Sequence, residues 1–318
     1  MDNDLADNNE FPRKYLQFPL FLIREMFVQK EATINKIINY GIYRMGMNQK
    51  YDLSNVARQI VYEHYRGNLS TEIKRRLNRY DLEYFGQDED YNGFSGTTFE
   101  PIDELNEISV LLDKDPQLKT LCIEFHCTRQ SMQILNITGN IENIIKCAKQ
   151  TEKSINAKEV FPMIGKHTLF HYRDNHKTET ELAQLLAYIA IRSTIGEKGF
   201  TKTNKPHIIC RMFGYKSIKD IEGITVSDLF KKYSNRYHID KTLKALELDW
   251  HVCVYSNKTR GLFISLSNKI PLKKLVEIAE QKKRSKREKD FYDQKCSIIN
   301  TALIAANKLQ PNNNGTAS

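Results

Sequence analysis

The residues best suited to chemistry on a partner lie between Ser234 and Lys289. The run Ser234-Asn-Arg-Tyr-His-Ile-Asp-Lys-Thr-Leu-Lys-Ala-Leu-Glu-Leu248 has helical spacing, and Ser234 or Asn235 can cap its start. At 100° per residue, Ile239, Leu243 and Leu246 fall within about 60° of one another. The same turn sends Tyr237, Lys241 and Lys244 to the opposite face, with His238 beside them. Further on, Ser256-Asn-Lys-Thr-Arg-Gly261 sets Lys258 and Arg260 in a short loop. A third group, Gln281-Lys-Lys-Arg-Ser-Lys-Arg-Glu-Lys289, holds six basic residues in nine. Cations gathered in this way can neutralise phosphates, with an affinity that falls steeply as salt rises. A solvated helix face is the plain alternative for each.

Other clusters lack a partner that their chemistry needs. Asp88, Asp90, Asn92 and Gly93 match the start of a calcium loop, but position 12 is Phe99 and Glu100 arrives one residue late. Cys122, His126 and Cys127 lie close together, yet structural zinc needs four ligands and no second pair follows. They read as thiols on the buried face of a helix. His167, His171 and His176 cluster near Asp174, in a segment whose Asp and Asn content predicts irregular structure. His126-Cys-Thr-Arg129 matches a His-x-x-Arg element of tyrosine recombinases, without the tyrosine or the surroundings of that family. No phosphate-binding Gly-x-x-x-x-Gly-Lys-Ser/Thr loop, Gly-x-Ser-x-Gly elbow or His-x-His pair occurs. The chain therefore reads as non-enzymatic, with no cofactor and no metal.

Helices must position most of these residues. Apolar spacing predicts helices over Leu20–Gln29, Ala32–Met47, Asp52–Tyr65, a segment starting at Ser70 or Thr71, Ile102–Leu112, Gln117–Leu135 and Ile141–Lys149. Gln87–Thr98 reads as a loop. Residues 1–155 thus form an α-helical domain, and polar residues 156–179 a linker. A long apolar helix follows Thr178–Thr180 with Leu182, Leu185, Leu186, Ile189 and Ile191, and stops near Gly196. A second has Thr203 as its cap, Pro206 in its first turn and Gly214 at its stop. Ser227–Tyr233 adds a short helix before the Ser234–Leu248 run. Trp250–Tyr255 and Leu262–Leu266 are β-prone runs about a short loop, a hairpin signal. Residues 270–309 form the basic C-terminal helices, from Ile270–Ala279 through the cationic run to Ile298–Leu309. Residues 310–318 form a disordered tail.

Helix, helix, helix and a hairpin with a basic tip resembles the winged helix-turn-helix superfamily of DNA-binding domains over about residues 180–267, within a domain expected at 180–269. The fold class is then mainly α, with one β-hairpin. About twenty residues, Lys216–Tyr233, stand where that superfamily has a tight turn. The resemblance implies that Arg236, Tyr237, His238 and Lys241 face the major groove of double-stranded DNA, with Asn235 beside them in the DNA-binding set. It implies that Lys244 reaches a phosphate, and that Lys258 and Arg260 lie along the backbone or in the minor groove. Lys282, Lys283, Arg284, Lys286 and Arg287 complete the candidate DNA-binding set. The implied role is transcription regulation, or initiation on a replicon or mobile element. The N-terminal domain would then pair with a second copy or a protein partner. Because many winged helices bind proteins, an interaction adaptor is the alternative.

Charge and composition agree with an anionic partner. The 318 residues carry a net charge of +9. Residues 1–150 hold 18 basic and 22 acidic residues, net −4, while residues 151–318 hold 30 and 17, net +13. The hydrophobic fraction is 40% and the charged fraction 27%, as in globular proteins. No apolar run approaches the ~18 residues of a membrane helix. The acidic, polar start is no secretory signal, and the six scattered cysteines read as reduced thiols, which predicts a cytoplasmic protein.

Overall fold

The computed structural model describes residues 15–80, 102–195, 199–256 and 261–308. The expected loop over Gln87–Thr98 and the expected tail at 310–318 lie outside them. In chain order the elements are β1 (Tyr15–Gln17), α1 (Lys30–Met47), α2 (Leu53–Tyr65), α3 (Thr71–Leu77), α4 (Ile102–Lys114), α5 (Pro116–Leu135) and α6 (Ile141–Glu152). Then come β2 (Met163–Gly165), α7 (Lys166–Asp174), α8 (Glu179–Thr194), β3 (Phe200–Thr203), α9 (Lys205–Met212), α10 (Asp228–Ser234) and α11 (Arg236–Asp249). The hairpin β4 (Val252–Tyr255) and β5 (Leu262–Leu266) precedes α12 (Leu272–Lys308). The chain is mainly helical, with small antiparallel sheets. None of the described helices is long and apolar enough to cross a membrane.

The chain divides into two compact units. The first comprises Met1–Ser193 with Pro206–Thr242, and the second Thr194–Lys205 with Leu243–Ser318. The boundary therefore falls within α11.

In the first unit α1 packs on α5, α6 and α7. Ile34, Ile37, Ile38, Ile42 and Tyr43 are buried, the residues expected from the helical spacing, and Tyr40 is buried as well. Side-chain caps start α2 and α3 where they were expected, and α5 has a cap that was not expected. The Asp52 carboxylate accepts from the Ser54 amide at 3.1 Å, and the Ser70 hydroxyl accepts from Ile73 at 3.3 Å. The Asp115 carboxylate accepts from Gln117 and Leu118, while Pro116 occupies the first turn of α5. Gly46 lets the α1 and α5 backbones approach: a Cβ there would lie 2.5 Å from the Cys127 carbonyl oxygen.

Two segments differ from the sequence expectation. Leu20–Glu25 is a 3-10 helix, with a separate α1 after it. Residues 156–179, expected as an irregular linker, contain β2 and α7. β2 pairs antiparallel with β1 in the register Leu16↔Ile164. Leu169 and Tyr172 are the buried residues of α7, and α7 packs on α1. Strands of three residues are too short to show alternation, and two anchors suffice for a nine-residue helix.

The second unit is built on a three-stranded antiparallel sheet of order β3-β5-β4. The hairpin matches expectation, with Val254↔Ile264 in register. β3 was not expected. It pairs with β5 through Thr203↔Leu262, so Thr203 is a strand residue and not the cap of α9. α9 begins at Lys205, which puts Thr203 one residue short of the capping position, and its hydroxyl has no partner among the described residues. β5 is buried along its length, as a central strand should be. Leu275 and Ala279 of α12 pack on Phe263, with Phe200, Cys253, Tyr255 and Ile270 around them.

Candidate nucleic-acid interface

The start of α11 is fixed from two sides. Ser227 caps α10 through the Phe230 amide at 3.2 Å, and the Tyr233 hydroxyl donates to Glu179 of α8 at 3.0 Å. Lys232 adds an ion pair to the same carboxylate at 2.9 Å. That lysine holds the Glu179 carboxyl below its usual range, while burial raises the Tyr233 phenol. The N-terminus of α8 is itself boxed. The Thr178 amide donates to Glu181 at 2.9 Å, the Glu181 amide donates back to the Thr178 hydroxyl, and the Glu181 carboxyl is held at about 2. α9 ends at Gly214, whose φ of +76° allows the Tyr215 amide to reach Cys210 and the Gly214 amide to reach Arg211. Arg211 in turn donates to the carbonyl of Ser193 at 2.8 Å, tying α9 to the end of α8.

On the first-unit part of α11, Arg236, Tyr237 and Lys241 are exposed, Tyr237 by 66%, and His238 is half-buried. Ile239 and Thr242 are buried beneath them. Asn235 is committed locally: its carboxamide oxygen accepts from the Tyr237 amide at 2.9 Å and caps the helix. Arg236 pairs loosely with Asp240 at 3.5 Å, yet its side chain stays 88% exposed. The Tyr237 ring meets His238 edge-on, and His238 meets Tyr233. On the second-unit part, Leu243 and Leu246 are buried, and Lys244 is exposed with Glu247 at 3.4 Å. The two faces are those expected from the spacing.

Lys258 and Arg260 lie outside the described residues, as does the side chain of Lys283. Lys282, Arg284, Lys286 and Arg287 are on α12, a single helix of 37 residues, about 55 Å long. The sequence had suggested separate pieces. No Gly or Pro interrupts Leu272–Lys308, so a change of composition does not break the helix. Its inward stripe changes character along its length. Lys282, Lys286 and Lys289 follow Leu275, Ile278 and Ala279 on the same face at 100° per residue. Where that stripe turns cationic, packing stops: the described side chains from Gln281 to Thr301 are exposed, with only Cys296 half-buried.

Lys202, and the ring that the expected cation Lys282 covers, were missed in the sequence. Lys282 sits 4.6 Å over the Phe200 ring, and Lys202 sits 5.6 Å from the Phe263 ring. Phe200 and Lys202 belong to β3, whose four residues gave no periodic signal. Tyr255 donates to Glu280 at 2.9 Å and ties β4 to the same stretch of α12.

The remaining clusters among the described residues are buried in the fold or paired within it. Cys122, His126 and Cys127 are buried on α5, and burial pushes the Cys122 thiol up to about 12. Arg129 pairs with the fully buried Glu63 at 2.9 Å. α7 is helical and sets His167 and His171 one turn apart, but the Nε2 of His171 faces Lys177 at 2.8 Å. Among the described residues no three His, Cys, Asp or Glu side chains gather as a metal site would require. No family model, curated protein or solved structure matches this chain.

Proposed function

We propose that the protein binds double-stranded DNA through a winged helix comprising α8, α9, α11 and the β4–β5 hairpin, with α12 as a basic arm. The observation that carries this reading is α11. Its apolar side chains Ile239, Leu243 and Leu246 are buried while Arg236, Tyr237, Lys241 and Lys244 remain exposed, a helix surface that can meet phosphates and base edges. Two further features support it. A strand between the first and second helices joins the hairpin, giving the order β3-β5-β4. The exposed cations of α12 add a sequence-independent grip on phosphate. The role would be that of a regulator or an initiator.

The test is fluorescence anisotropy on mixed-sequence duplex DNA across a salt series. Wild type is compared with Lys241→Ala/Arg260→Ala and with a chain ending at Lys269. The reading expects a steep salt slope and weaker binding by the double variant. Absence of binding at low salt would overturn it. The second reading, a protein-interaction adaptor, is favoured by the exposed apolar Tyr237 and Leu248 on α11. In that case Lys241→Ala/Arg260→Ala is silent toward DNA, and Tyr237→Ala abolishes partner capture.

A further inference from the structure

The segment Lys216–Tyr233 replaces a tight turn with a 3-10 turn, Ile218–Ile221, and helix α10. Together with α9 it encloses a pocket of about 330 Å³. Ile209 and Cys210 form its α9 wall, Ile218 and Ile221 face them, and Phe230 closes one end. This volume is far above a packing void and at the lower end of small-molecule sites. The Phe230 ring is held from behind by Phe213, which stacks on Phe27, so the apolar wall is backed by further rings. Ile218 remains 49% exposed, leaving apolar surface at the mouth. Glu222 supplies the one charged side chain among the described residues that line the pocket. An apolar cavity with a single carboxylate at its edge complements an apolar body carrying one positive charge.

The wall also contains Ser234, the last residue of α10, whose hydroxyl donates to the Phe230 carbonyl at 2.8 Å. The next residue, Asn235, caps α11. We propose that this pocket binds a small hydrophobic amine, and that its occupancy braces the junction between α10 and α11. The second half of this proposal rests on the DNA-binding reading. A braced junction leaves α11 less freedom to lose on DNA, so the amine tightens DNA binding.

The probes are phenethylamine, 2-phenylethanol and phenylacetate, matched in shape and different in charge. Calorimetric titration of the full chain should rank the amine first and the acid last. Glu222→Gln should weaken the amine about threefold, as expected for an exposed charge pair, and leave the alcohol unchanged. Ile218→Trp, at an exposed position that the fold tolerates, should fill the mouth and abolish binding of all three. Equal affinity for the three probes, or binding unaffected by Ile218→Trp, would overturn the pocket assignment. In the anisotropy assay, saturating amine should tighten duplex binding about threefold in wild type and not in Ile218→Trp. Amine binding with an unchanged DNA affinity would overturn the coupling. Failure of DNA binding at every salt would overturn the DNA reading, and the titration would still report on the pocket.

Discussion

Helices α5 and α12 both carry charge, and they use it in opposite ways. On α5, Glu124, His126 and Arg129 sit at buried or half-buried positions and face other helices. Glu124 accepts from Tyr43 at 3.3 Å and pairs with Lys149 at 2.6 Å, and Arg129 meets Glu63. Such groups are held because an unpaired buried charge costs several kcal/mol. On α12 the described cations from Lys282 to Lys295 are exposed, and Lys282 meets the Phe200 ring without being buried. The difference teaches that charge density alone does not separate structural from functional residues. Burial does: an inward charge has been answered within the chain, and an outward cluster of one sign is available to a partner.

The largest effect should come from breaking an inward pair. Glu63→Ala leaves Arg129 without its carboxylate and should cost about 3 kcal/mol in urea unfolding. The double variant Glu63→Leu/Arg129→Leu should recover most of that loss, and a double variant no better than the single would remove the inward-pair account. On α12 the opposite outcome is expected. Lys282→Ala, Arg284→Ala, Lys286→Ala and Arg287→Ala combined should leave unfolding free energy within about 0.5 kcal/mol. Duplex affinity should fall on the order of 100-fold at moderate salt, and the salt slope should drop by about 3.6 if each cation meets one phosphate.

A smaller effect concerns His126. Neither ring nitrogen has a partner, and burial lowers its affinity for a proton below the ordinary value near 6.5. The folded state therefore resists protonation that the unfolded chain accepts. Its contribution is present above about pH 6.5 and is lost as pH falls from about 7.5 to 5.5. His64 and His207 shift in the same direction, so the measurement is the difference between wild type and His126→Leu over that range. Parallel curves would count against the assignment. The smallest effect is that of Lys241→Ala alone, about fivefold in duplex affinity with no change in stability.

The helices of the first unit were legible because α1, α2, α5 and α6 repeat apolar residues at helical spacing, and Asp52 marks the start of α2. The two faces of α11 were legible for the same reason. What was not legible was short or non-local. β1, β2 and β3 hold three or four residues each, and their stability comes from partners far along the chain, such as Leu262 for Thr203. α7 was hidden by its polar composition, since only Leu169 and Tyr172 are buried. The continuity of α12 was obscured by reading composition changes as boundaries. The cation-over-ring contacts of Lys282 and Lys202 depend on β3 and could not be found before it.

The anchoring of α12 by its first turns, through Leu275, Ala279, Glu280 and Lys282, has an evolutionary consequence. Everything beyond those turns is detachable. Substitutions, insertions or even loss of the distal helix would leave the sheet and its small core intact. Selection can therefore retune that arm without reopening the folding problem, whereas the crossing at Gly46, where two backbones nearly touch, leaves almost no permissible change.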